Sequence, residues 1–289
     1  MRLIGAFFIV AHAGEAHELS WTWEPWTIAL LALTGALYAI GVRRLGAAFK
    51  WQTLAFALGW ITLVIALLSP LDELSEILFS AHMAQHELLI MVAAPLLVFG
   101  RPLIAFLWAL PMRWRLRAGG LCQTPPVAKT WHFISGPLVV TVLHALALWV
   151  WHLPSLYEAT LGNDFIHAMQ HLSFLLTAAL FWCALIHGRY GRMGYGVAVV
   201  YVFITAAHSG ILGALIALSP NVIYPIYEQT TAQWGVNAID DQQLAGLLMW
   251  IPAGVVFTII GVALFAAWLG EAERRVALTK ADSLTKEQR

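Results

Sequence analysis

The sequence predicts an all-α, polytopic membrane protein of about seven transmembrane helices in one bundle, N-terminus outside and C-terminus cytoplasmic. Three observations carry this. Hydrophobic residues make up 60% of the 289 and charged residues 11%, against about 45–50% and 25% in soluble domains. Such a chain lacks the polar surface to cover a soluble fold, whereas lipid accepts apolar side chains directly. Seven segments approach the ~20 apolar residues that a span needs. The basic residues also fall on one side of those segments, as orientation in a membrane requires. The 14 Trp agree, since amphipathic rings collect at membrane interfaces.

In order, the spans are 26–42, 54–69, 77–98, 136–151, 165–185, 197–218 and 244–269. The first, second and fourth are short and extend into flanking residues. The run 103–110, bracketed by Pro102 and Pro111, is too short to cross and reads as an interfacial piece. Arg43, Arg44 and Lys50 follow span one; Arg101, Arg113, Arg115, Arg117 and Lys129 follow span three. Arg189 and Arg192 follow span five, and Arg274, Arg275, Lys280, Lys286 and Arg289 close the chain. These are 15 of the 16 Lys and Arg, the other being Arg2. The alternate loops hold no basic residue and carry Asp72, Glu73, Glu76, Glu158, Asp164, Glu228, Asp240 and Asp241. One missed or invented helix would scramble this pattern, so it also tests the span count.

Around the seven-span domain, 26–270, lie two short pieces. Residues 1–25 read either as a signal peptide, with Ala11-His12-Ala13 as its cleavage site, or as an extracytoplasmic N-terminal segment. Residues 271–289 read as a polar cytoplasmic tail, a short helix that frays. Zero net charge gives no sign of a nucleic-acid partner. Cys122 and Cys183 fall toward the cytoplasm with no CxxC, so neither a disulfide nor a thiolate clamp is expected. A soft metal would have to be held by His, Met or carboxylate.

The 11 His carry the chemistry. His82 and His86, in the outer half of span three, stand one helical turn apart on one face. His167 and His171 repeat this at the outer start of span five, and both pairs read H-x-x-Q-H with a Met inside. His152 ends span four on the same side. The reading sets the two couples facing each other on antiparallel helices at the extracytoplasmic rim. Chelating pairs from two helices plus a fifth imidazole are how a helical bundle builds a metal site. Imidazole suits Cu, Zn, Fe or Ni, and thioether from Met83 and Met169 tilts the choice toward Cu(I). Each Met taken alone is more often packing. Gln85 and Gln170 are candidates to orient the imidazoles. A lone His such as His132, His144 or His187 more often satisfies itself by hydrogen bonds than ligates. Glu87 lies near the bilayer midplane, where an ionised carboxylate is costly. His208, at similar depth, is its candidate partner; the alternative is a neutral Glu87 bonded to a neighbouring helix. There is no H-E-x-x-H, P-loop, dinucleotide glycine pattern or G-x-S-x-G.

Three stretches are distinctive. Ser80-Ala81-His82-Met83-Ala84-Gln85-His86 runs into Ala94-Pro95-Leu96-Leu97 and Gly100-Arg101-Pro102. Trp151-His152-Leu153-Pro154-Ser155-Leu156-Tyr157 leads to His167 through Trp182. Asp241-Gln242-Gln243-Leu244-Ala245-Gly246 ends in Met249-Trp250-Ile251-Pro252. On these the chain resembles the CtaG family of cytochrome c oxidase assembly factors, polytopic bacterial membrane proteins distinct from the single-span copper chaperone of the same name. The resemblance covers spans three to seven. It implies a role in maturing haem–copper oxidase, with oxidase subunits as partners and a copper donor as a further one. It also implies multi-pass residence in the bacterial plasma (inner) membrane, with copper handled on the outer or periplasmic side. Asp240 and Asp241 stand together where the family carries a carboxylate.

The reading is therefore a non-enzymatic assembly factor that binds or passes copper through His82, His86, His152, His167 and His171. Spacing alone leaves zinc or haem as alternatives. A membrane metalloenzyme with an open coordination position and a metal-free scaffold are the further rivals. Since imidazole ligates only when neutral, copper loading should fall below about pH 6, near the ordinary His pKa; loading unchanged from about pH 7.5 to 5 would count against an all-imidazole site.

Overall fold

A computed structural model describes residues 8–10, 17–187 and 194–287. The candidate cleavage site at 11–13, with His12, and the basic residues Arg189 and Arg192 lie outside them. A three-residue antiparallel ribbon, β1 (Phe8–Val10) with β2 (His17–Leu19), precedes the helices, and no other strand occurs among the described residues.

Helices α1 (Pro25–Leu45) and α2 (Lys50–Leu68) are both longer than their apolar cores, as anticipated. Each gains a turn or more of flanking residues that need no burial. A short α3 (Pro70–Ile77) leads to α4 (Phe79–Phe99). Then come α5 (Pro102–Ala109), α6 (Met112–Gln123), α7 (Pro125–Ile134) and α8 (Pro137–Trp151). The rest are α9 (Pro154–Leu161), α10 (Asp164–Ile186), α11 (Tyr195–Leu218), α12 (Ile226–Gln233) and α13 (Ala238–Glu287).

Among the described residues six helices are long and apolar enough to cross a membrane, and seven if the pair α7 and α8, bent by 60°, counts as one broken span. The break explains why span four looks short. The 15 residues of α8 rise only about 22 Å, less than the ~30 Å hydrocarbon core, and Pro137 ends the straight path. Large apolar side chains such as Leu33, Leu138, Phe203, Leu215, Ile259 and Val262 point outward. That surface is unfavourable in water and costs nothing against lipid.

The tail departs from expectation. Instead of a separate fraying helix, residues 271–287 continue α13, 50 residues long, without a break. Nothing in 270–287 is Pro, and its Glu, Arg, Ala, Leu and Lys residues favour helix. The run 103–110 also finds a partner: α5 lies along α1, where a Cβ on Gly41 would collide with the Ala105 carbonyl. Arg44 donates to the carbonyls of Trp108 (2.9 Å), Ala109 (3.1 Å) and Leu110 (2.9 Å), closing the end of α5.

The main core lies between α4, α8, α10, α11 and α13, around Phe79, Met83, Phe174, Phe181, Trp182 and Phe257. Helices α11 and α13 approach closely at Gly246, where a Cβ would collide with the Ala217 backbone nitrogen and sit 2.6 Å from the Gly213 carbonyl oxygen. Small residues at such crossings let helices pack in lipid, where no hydrophobic drive exists between them.

Candidate metal centre

The histidines sit where they do because two helix starts are fixed. Asp241, in the first turn of α13, is only 3% exposed. Its carboxylate accepts from the backbone N–H of Phe79 (2.7 Å) and Ser80 (3.3 Å) and from the Ser80 hydroxyl. It thus caps α4 from another helix and holds His82 and His86 one and two turns further in. The neighbouring Asp240 is exposed, so Asp241 is the structural member of the pair. On α10, Asn163 Oδ1 caps Phe165 (3.0 Å) and Ile166 (3.1 Å), fixing His167 and His171.

The couples meet. Ring centroids are 5.1 Å apart for His82 and His167, and 5.3 Å for His86 and His171. First faces first and second faces second, so α4 and α10 run parallel, not antiparallel as the sequence reading had it. Both enter the bundle from the same side. His152, at the end of α8, lies 6.1 Å from His86. His82, His167 and His171 each present a nitrogen within 4.8 Å of the others. Nitrogens held by one ion at ~2.0–2.1 Å lie within about 4 Å of each other, so side-chain shifts of roughly an ångström close the set.

Hydrogen bonds set the tautomers. His152 Nδ1 is 2.7 Å from the Leu148 carbonyl, which can only accept. The proton is therefore on Nδ1, and Nε2 is a buried lone pair with no partner. Tyr227 donates to the Ser75 carbonyl (3.0 Å), so its oxygen accepts from His82 Nδ1 (3.3 Å). His82 Nε2 is then the lone pair, and it faces Oε1 of the Gln170 amide, an acceptor, at 3.2 Å. A half-turn of that amide, whose Nε2 has no other partner, presents a donor to it. Both nitrogens of His86, and Nε2 of His167 and His171, are also buried without partners. Unmade hydrogen bonds at buried groups cost about 1–3 kcal/mol each, and most of those among the described residues gather at the cluster, where their lone pairs could serve a ligand.

The other candidates distribute unevenly. Gln85 does not orient an imidazole: its amide donates to the Ala66 carbonyl (2.6 Å) and Asp72 (2.8 Å), because the end of α2 and a carboxylate lie on its flank. Met83 is packed in the apolar core, while Met169 lines a cavity beside His167. Glu87 and His208 do not pair. The buried Oε2 of Glu87 and both ring nitrogens of His208 have no hydrogen-bond partner, and His208 instead faces His144 at 6.1 Å. His144 bonds Thr177 (3.1 Å). His132 bonds the Ala128 carbonyl (2.9 Å), and His187 accepts from Arg101 (3.2 Å). Both lie away from the cluster, and burial followed by the Arg101 charge pushes His187 below its ordinary pKa.

Sequence reasoning missed the tyrosines. Tyr157, Tyr224 and Tyr227 are buried over the cluster; Tyr157 meets Tyr227 (3.1 Å), and Tyr224 donates to the His152 carbonyl (2.8 Å). Tyr157 lay inside a quoted motif, but Tyr224 and Tyr227 come from a connection with no periodicity to flag them. Below the site α4 turns π-helical over Leu88–Ala93. Pro95 has no N–H for the carbonyl five residues back, Ile90, and the Trp182 indole donates to it instead (2.9 Å).

The sequence profile of the cytochrome c oxidase caa3 assembly factor (Caa3_CtaG) family matches residues 36–271. The chain is 27% identical over 269 residues to the uncharacterized protein Mb0105 of Mycobacterium bovis, covering 86% of this chain and 40% of that protein. It is 26% identical over 274 residues to the uncharacterized protein ML1998 of Mycobacterium leprae, covering 89% and 40%. The chain thus spans about two fifths of the length of these relatives. No solved structure matches it.

Proposed function

Since the chain belongs to the cytochrome c oxidase caa3 assembly factor family, we propose that it serves oxidase assembly by holding copper in the histidine cluster and passing it on. One observation carries the copper centre: imidazoles from α4, α8 and α10 converge with buried lone pairs that no protein group satisfies. An all-imidazole set with a thioether nearby suits a copper ion as cargo. His82, His167 and His171 would hold it, with His86 and His152 completing or exchanging ligands. Tyr227 keeps the His82 lone pair on Nε2. The segregation of basic loops supports a plasma-membrane protein with this centre on the outer side, where an oxidase subunit would receive the ion.

The test is metal analysis of purified protein after copper loading, wild type beside His82→Ala/His167→Ala, with helical content by circular dichroism as the fold control. The wild type should retain copper and the variant lose it with its helicity intact. Equal copper in both, or none in either, refutes the centre. Retained zinc would change the cargo, and a Soret band would mark haem.

A further inference from the structure

Copper must reach nitrogens that water does not, and the fold supplies a route. We propose that four carboxylates in an outward cavity, Glu24, Asp72, Glu76 and Asp164, form an acidic antechamber that captures the incoming copper cation and delivers it to His167 and His171. The proposal rests on the copper reading above.

The cavity, of about 500 Å³, lies between α1, α2, α3 and α10. Its polar lining holds these four carboxylates, and no Lys or Arg among the described residues lines it. They come from separate places in the chain: the residue before α1, two positions on α3, and the first turn of α10. The acids sit on a gradient, Glu76 and Asp164 exposed, Glu24 and Asp72 half-buried. His167 and His171 line the same space. The Nε2 of each is buried and unpartnered, and His171 is only 7% exposed. The wall beyond them is largely leucine, including Leu30, Leu63, Leu172 and Leu175, and the neutral hydroxyls of Thr22, Thr27 and Thr34 complete the polar lining.

The charges feel one another. Burial foremost, then Glu24 and Asp164, push the Asp72 carboxyl up; burial foremost, then Asp72 and Asp164, do the same to Glu76. Their fields overlap without an internal counter-ion, which is the arrangement that concentrates cations at a cleft. Ligand softness sets the direction. Carboxylate oxygen suits hard cations and imidazole suits copper, so the mouth gathers the ion without trapping it and the histidines hold it.

The experiment measures loading rate in the full chain in lipid nanodiscs. Cu(I) is supplied anaerobically as its cationic acetonitrile complex, and copper resistant to a brief chelator pulse is counted against time. Glu76→Gln/Asp164→Asn should load about tenfold slower than wild type at low salt. The difference should vanish near 1 M salt, where the screening length is about 3 Å. Glu228→Gln, exposed and away from the cavity, should load like wild type. A double variant that loads at the wild-type rate at low salt overturns the antechamber. So does one whose final copper content falls at an unchanged rate, since the acids would then be ligands or fold supports. A wild type that holds no copper at equilibrium removes the centre itself and the antechamber with it.

Discussion

Asp241 and Asp240 differ by one position and should differ widely in consequence. Asp241 is 3% exposed and accepts two backbone N–H groups and one hydroxyl at the start of α4. Replacing it by Ala removes an N-cap, about 0.5–2 kcal/mol, and strands buried donors, about 1–3 kcal/mol. These descriptions overlap, so the expected loss is about 3 kcal/mol. Asp241→Asn keeps an acceptor but loses the charge and should cost about 1 kcal/mol. Asp240→Ala, exposed, should stay within about 0.5 kcal/mol of wild type. Reversible unfolding of the purified protein in mixed micelles, followed by circular dichroism, measures all three. Copper affinity should fall with stability in Asp241→Ala, because the first turn of α4 sets His82. If Asp241→Ala lies within about 0.5 kcal/mol of wild type, or Asp240→Ala costs as much, the capping argument is wrong.

Two further outcomes follow from the hydrogen bonds. Tyr227→Phe removes the oxygen that keeps the proton on His82 Nδ1, and loss of such outer partners typically weakens metal binding about 10–100-fold; a competition titration returning wild-type affinity would exclude Tyr227 from the centre. The Asp72 carboxyl is pushed up, chiefly by burial, so its protonated form is favoured on folding. That stabilisation is complete below the unfolded value of about 3.9 and is lost as pH rises through the folded value. Asp72→Asn cannot ionise and keeps an oxygen for Gln85, so its stability relative to wild type should climb as pH rises from about 4, the unfolded value, through the raised folded value, and a difference that stays flat as pH rises in the same micelle assay contradicts the assignment.

Spans and histidine pairs were legible for one reason: each depends on local spacing. A run such as 197–218 is apolar enough to be accepted by lipid whatever surrounds it, and His82 with His86 share a face by helical geometry alone. What escaped depends on neighbours. Gln85 and Gln170 hold equivalent places in identical motifs, yet only Gln170 reaches an imidazole. The flank of Gln85 carries the end of α2 and Asp72, and no property of H-x-x-Q-H announces them. The Glu87–His208 pairing failed similarly. Equal depth places two residues in one layer of the bundle but says nothing about rotation around each helix, and His208 turns toward α8. The parallel course of α4 and α10 was implicit in the alternation of basic loops, since both begin on the acidic side.

That parallel course raises an electrostatic question with an answer in the caps. The start of a helix carries about half a positive charge, and two parallel helices bring two such starts to the level of the cluster. A cation there is opposed by both dipoles unless something offsets them. Asp241 does so on α4, and Asp164 stands in the first turn of α10 beside the Asn163 cap. Each places a carboxylate where the dipole is strongest, one turn from an imidazole couple. Asp241 therefore both fixes a helix start and offsets its positive end, whereas on α10 Asn163 does the fixing and Asp164 supplies the charge. A capping Asn at position 241 meets only the first need. Asp241→Asn should accordingly lose more copper affinity than its small stability cost explains, and equal losses in both would show that the cap serves the fold alone.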